Sequence, residues 1–189
     1  MNEKPLNKER WITLTEWLAV ALNLGFTYLY IQQNSWAFLL GILGPLSIAV
    51  LSWKKRLIAD TALQFIYIML CIWGALQLCT DWKASNISIF AHCIGSSLAI
   101  FLALLVGWVL KKKTHAALPY WDSLITTFSI WATILMMMGI KENWLYFIFI
   151  DLFCIFLFLY RGLPVISFLY FVYFLMALEG YFQWGWITN

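Results

Sequence analysis

Charge is what this chain has least of. Asp, Glu, Lys and Arg make up 11% of its 189 residues, against about 25% in soluble domains. Histidine occurs only twice. His92 stands alone in an apolar segment and His115 lies in a basic loop, so neither has the partners that a metal or haem site needs. Cysteine occurs four times. Cys71, Cys79, Cys93 and Cys154 lack metal-ligand spacing and fall in apolar runs, where a thiol behaves as a small hydrophobe. A disulfide framework is therefore not expected. There is no nucleophile elbow, HExxH pair or phosphate-binding glycine loop. The chain is read as having no catalytic residues, no cofactor and no metal, and as not being an enzyme.

What fills the sequence instead is apolar: 63% of the residues are hydrophobic, well above the 45–50% or so of soluble proteins. So short a soluble chain cannot bury that much apolar surface, and the reading is an all-α integral membrane protein in a lipid bilayer. A spanning helix needs about 20 mostly apolar residues. Seven stretches fit: 11–31, 36–53, 57–79, 86–110, 119–139, 143–160 and 163–184. They lack the two-residue alternation of a membrane barrel. Residues 1–10 are read as a cytoplasmic tail with no removable signal peptide. The basic residues fall mostly on one side: Lys4, Lys8, Arg10, Lys54, Lys55, Arg56, Lys111, Lys112, Lys113 and Arg161, against Lys83 and Lys141 on the other. The positive-inside rule then places the N-terminus inside and the C-terminus outside. This distribution explains the net charge of +3 by topology, and no nucleic-acid partner is expected.

The chain also repeats. At an offset of 106 residues Glu16 meets Asp122, Lys55 meets Arg161, and Phe65, Tyr67, Gly74 and Gln77 meet Phe171, Tyr173, Gly180 and Gln183. The second and sixth spans align less well, since Trp36 and Trp144 match only at an offset of 108. The expected architecture is a three-plus-one-plus-three bundle: a first repeat over 11–79, a connector over 86–110 and a second repeat over 119–184. An odd number of spans per repeat would invert the second triple, and the connector restores its direction. Such parallel repeats occur in secondary transporters, the SWEET sugar transporters among them, with substrate sites near the midplane.

Polar residues recur at that depth: Asn23, Tyr67, Ser129, Asp151 and Tyr173. Asp151 interrupts the apolar run ENWLYFIFIDLFCIFLFLYRG, residues 142–162. A carboxylate there costs about 2.5–3.5 kcal/mol on insertion scales and usually faces an interior cavity. Helical spacing puts Trp144, Phe147, Ile148 and Asp151 on one face. Two rings and an anion suit a flat cation. A carboxylate clamping a Tyr or Asn of another span, or a proton relay, would also account for Asp151. Gln64 and Tyr67, one turn apart, are candidates for the same cavity. Glu16, Asp60 and Asp122 lie toward the cytoplasmic ends, as solvated residues or as gates and anchors. Glu179 and Gln183 sit near the outer end of the last span, where Trp184 and Trp186 fit an interfacial aromatic belt.

These residues resemble a known family. EWLAVALN in the first span, Asp60, Leu63, Gln64 and Tyr67 in the third, KENW with Asp151 and Tyr160 in the sixth, and RGLPVISFLYFVYFLMALEGYFQW in the last are similar to the PnuC-type bacterial vitamin transporters. The resemblance covers essentially the whole chain. It implies a SWEET-related bundle in the bacterial inner membrane and facilitated diffusion of nicotinamide riboside, thiamine or riboflavin. It also implies trapping by intracellular phosphorylation and a homo-oligomer, a trimer in known members. It carries binding roles to Trp144, Phe147, Asp151, Gln64 and Tyr173, with Asn23 and Tyr170 beside them. Nicotinamide riboside carriers show W-x-x-W in the sixth span, whereas Phe147 stands here at the second position. Thiamine is therefore the first expectation and nicotinamide riboside the second. The rivals from other classes are a membrane enzyme or its accessory subunit, and a non-transporting receptor or scaffold.

Overall fold

The computed structural model describes residues 5–54, 58–79, 87–113, 118–162 and 164–185, with the backbone alone for 5–13, 16, 58–60, 78, 79 and 165. The side chains of Glu16 and Asp60, and Lys55, Arg56, Lys83, Asn86, His115 and Trp186, therefore lie outside the described residues. Seven helices follow in order: α1 Pro5–Ile31, α2 Trp36–Lys54, α3 Ile58–Cys79, α4 Ile89–Lys113, α5 Pro119–Met137, α6 Asn143–Tyr160 and α7 Pro164–Phe182. Among the described residues α2, α4 and α6 are long and apolar enough to cross a membrane by length and composition.

Two boundaries differ from the sequence reading. The first helix begins at Pro5, inside the stretch expected as a tail. Proline suits a first helical turn, where its missing N–H is no loss. The fourth helix runs on through Lys111, Lys112 and Lys113, which were expected in a loop. Lysine is a good helix former, and cations are favoured at a helix C-terminus. Lys112 also lays its ammonium 4.0 Å from the centre of the Trp108 ring. Two glycines end helices as expected of residues with positive φ: Gly139 after α5 and Gly162 after α6, both at +71°.

The described residues form two compact units, one within residues 5–79 and the other within residues 87–185. In the first, α2 packs against both α1 and α3. Its contact face is made of small residues: Ala37, Gly41, Gly44, Pro45, Ala49 and Ser52 are all buried. A methyl added at Gly41 would lie 2.8 Å from the Cys71 sulfur of α3 and 2.8 Å from the Phe26 ring of α1. In the second unit, α6 packs against α5 and α7, and α4 packs against α5. Here the apolar centre is Ala132, Ile150 and Cys154.

The fourth helix joins its unit through a four-residue stripe of Gly95, Ala99, Ala103 and Gly107, all buried. Phe90, Phe101 and Leu104 of the same helix are largely exposed. Apolar side chains do not drive helices together in lipid, so close backbone approach at small residues does. Trp131 of α5 fills the space over Gly95, where an added methyl would come 2.2 Å from its Cζ2. Gly95→Val is therefore expected to destabilise the protein by about 1–3 kcal/mol through overpacking. Phe101→Val, on the open face, should leave the melting temperature close to that of the parent. Thermal unfolding of both variants in one detergent checks this, and equal melting points would contradict the α4–α5 seam.

Candidate functional site

The second unit carries the residues for which the sequence argues most strongly. Asp151 lies in the middle of α6 and is 6% exposed. Trp144, two turns away on the same face, is 7% exposed. Its indole lies flat against α7 because residue 180 has no side chain: a methyl there would come 2.5 Å from Cε2 and 2.6 Å from Cδ2. Phe147 follows one turn after Trp144, with ring centres 6.3 Å apart at 54°. Tyr173 lies on α7, which packs against α6. Tyr170 stands one turn from it, with ring centres 6.3 Å apart. Asp151, Trp144 and Phe147 thus lie along α6, and Tyr170 and Tyr173 along the helix packed against it.

Phe147 and Tyr170 also have packing roles. Both lie against the Ala132, Ile150 and Cys154 centre. Tyr170 stacks on Phe158 at 5.2 Å and 9°. The other expected residues belong to the first unit. Asn23 donates from Nδ2 to the Ala19 carbonyl oxygen at 2.8 Å. Its side chain rests on Gly44, where an added methyl would be 2.9 Å away. Gln64 is buried and Tyr67, one turn on, is half-buried.

Among the described residues no side chain or backbone group forms a hydrogen bond or ion pair with Asp151. A clamp to a Tyr or Asn of another span would show such a bond. A buried carboxylate without a counter-charge is costly. The arrangement therefore suits a site in which a cation or a proton completes the group, with Trp144 and Phe147 as an aromatic wall.

Three features escaped the sequence reading. Glu179, near the outer end of the last span, is 0% exposed. Its Oε1 accepts the Gly185 N–H at 2.9 Å and so ties down the chain after α7. The signal was its neighbourhood, since Met176, Ala177 and Gly180 are all buried on the same helix. His92 is not alone: its Nδ1 lies 3.2 Å from the Tyr146 hydroxyl, which lies 3.0 Å from the Ser96 hydroxyl. His92 and Ser96 are four residues apart, so they share a face of α4. Asp122 is paired rather than merely solvated, since Arg161 Nη2 donates to its two oxygens at 2.8 and 3.0 Å. Its repeat partner Glu16 lies outside the described side chains.

The contact between Trp144 and Gly180 yields a prediction. Gly180→Ala must displace the indole, because 2.5 Å is closer than any real Cβ contact. Substrate affinity should fall at least tenfold, and the smaller Phe at position 144 should restore part of it in Gly180→Ala. Equal affinity in parent and Gly180→Ala would show that the ring's placement does not matter for binding.

The chain has known relatives. A family model described as nicotinamide mononucleotide transporter matches residues 13–185. The nicotinamide riboside transporter PnuC of Escherichia coli (strain K12) is 31% identical over 96 residues, which is 51% of this chain and 40% of that protein. PnuC of Shigella flexneri gives the same figures. The matched stretch thus spans 40% of the length of these curated relatives. A crystal structure of the vitamin B3 transporter PnuC shares the fold, with a TM-score of 0.68 and 18% identity over 96% of this chain and 83% of that one. All of these proteins bear the name of transporters, in keeping with a chain that is not an enzyme. Their names point to nicotinamide riboside and vitamin B3, and none points to thiamine. Since the family model covers nearly the whole chain, this protein belongs to the nicotinamide mononucleotide transporter family.

Proposed function

We propose that the protein carries nicotinamide riboside across the bacterial inner membrane by facilitated diffusion. The observation that carries this reading is Asp151, a buried carboxylate with no partner among the described residues, on the same helix face as Trp144. Nicotinamide riboside presents a flat cationic ring, and a cation over an aromatic face gains about 0.5–2 kcal/mol, more when desolvated. The names of the relatives favour the same vitamin. Tyr173 and Tyr170 would supply polar contacts beside Asp151. Phosphorylation inside the cell would trap the vitamin. The repeat supports two triples joined by α4, because the middle helix packs against both of its neighbours in each triple. The N-terminus is placed inside by the basic residues, and the working form is a homo-oligomer, a trimer by family resemblance.

Thiamine is the second reading. Phe147 favours it, since it replaces the second Trp of the motif in nicotinamide riboside carriers. Both vitamins carry a cationic aromatic ring, so Asp151 does not separate them.

Counterflow in sealed proteoliposomes distinguishes the readings. Labelled nicotinamide riboside should exchange against unlabelled internal vitamin, with thiamine at least tenfold slower. Exchange of thiamine alone would place the chain in the thiamine branch. Exchange of neither vitamin would end the carrier reading for this ligand class. Phe147→Trp should strengthen nicotinamide riboside binding severalfold without strengthening thiamine binding. The reverse preference would show that position 147 does not set ligand choice in the manner described.

A further inference from the structure

A cavity of about 650 Å³ lies in the second unit, apart from the Asp151 site. His92 of α4, Leu124 and Phe128 of α5, and Leu145 and Phe149 of α6 line it, whereas Trp144, Asp151 and Tyr173 do not. Along α6 it reaches from Glu142 to Phe153. At about 1.5 Å per residue that is about 16 Å, roughly half of a hydrocarbon core of about 30 Å. Its depth is thus that of one leaflet.

A single hydrocarbon chain fits along a slot of this length. The rim is apolar and open, with Phe149 71% exposed.

Polarity is confined to one end. There Tyr146, held by His92 and Ser96, links α6 to α4. Glu142 lines the cavity at the start of α6. It makes no hydrogen bond as a helix cap, and it forms no ion pair among the described residues. The neighbouring cation is engaged elsewhere, since Lys141 holds its ammonium 5.2 Å from the Tyr181 ring of α7. An uncompensated carboxylate at the mouth of an apolar slot matches a lipid whose headgroup ends in an ammonium.

We propose that the cavity holds one acyl chain of a phospholipid whose primary ammonium headgroup pairs with Glu142. The proposal is independent of which vitamin is carried.

Native mass spectrometry of the full chain, reconstituted with phosphatidylethanolamine or phosphatidylglycerol and then stripped with detergent, tests it. The parent should retain one phosphatidylethanolamine per protomer, at least tenfold above phosphatidylglycerol. Glu142→Gln should abolish that preference while the melting temperature in detergent stays at the parental value. Leu145→Trp, which fills the slot, should lose retention of both lipids. Equal retention of the two lipids by the parent would overturn the proposal, as would parental retention by Leu145→Trp. Efficient disulfide cross-linking between protomers through Phe149→Cys, undiminished by added phosphatidylethanolamine, would show the slot covered by a second copy and would equally overturn it. If Leu145→Trp does not fold, the loss of preference in Glu142→Gln decides the matter alone.

Discussion

A carboxylate in the hydrocarbon layer must be compensated, and the second unit is organised around that requirement. Asp151 costs about 2.5–3.5 kcal/mol at the centre of a helix on insertion scales. The described side chains around it are not counter-charges. None of the described residues forms an ion pair with it, and Trp144, Phe147 and the Cys154 thiol share its helix. A cationic ring that slides between Asp151 and the indole would supply the missing charge and bury its own face. The carboxylate would then contribute little to stability when empty and most of its worth when occupied.

The second and sixth helices pack by different means. Gly41 and Pro45 of α2 stand 106 residues before Phe147 and Asp151 of α6. On α2 those positions are small or rigid and let α1 and α3 close in. On α6 they carry a ring and a charge. Trp36 of α2, which meets Trp144 only at the different offset of 108, is 68% exposed, while Trp144 is buried against Gly180.

Much of this was legible in the sequence. The seven helices follow from apolar runs of bilayer length, and the breaks at Gly139 and Gly162 follow from residues that tolerate positive φ. Asp151, Trp144 and Phe147 were legible because helical periodicity places them on one face before any packing is known. Glu179 was not, because burial of a helix end depends on where the following chain folds back, and the Gly185 N–H that satisfies it lies six residues on. The pairing of His92 with Tyr146 was hidden for a similar reason: the partners are 54 residues apart and only the packing of α4 brings them together. The extension of α4 through three lysines is not legible, because charge marks the end of an apolar span and a helix can outlast the span. Ligand choice was not legible: Phe147 favours thiamine, whereas the names of the relatives favour nicotinamide riboside.

The central claim is that the charge of Asp151 answers the charge of the ligand, and a cycle of affinities tests it most directly. The parent and Asp151→Asn are each titrated with nicotinamide riboside and with its reduced form, in which the ring is uncharged and the shape nearly the same. The account predicts that the parent prefers the cation by at least tenfold, about 1.4 kcal/mol, and that Asp151→Asn loses this preference while binding the reduced form as the parent does. An unchanged preference for the cation in Asp151→Asn would contradict it.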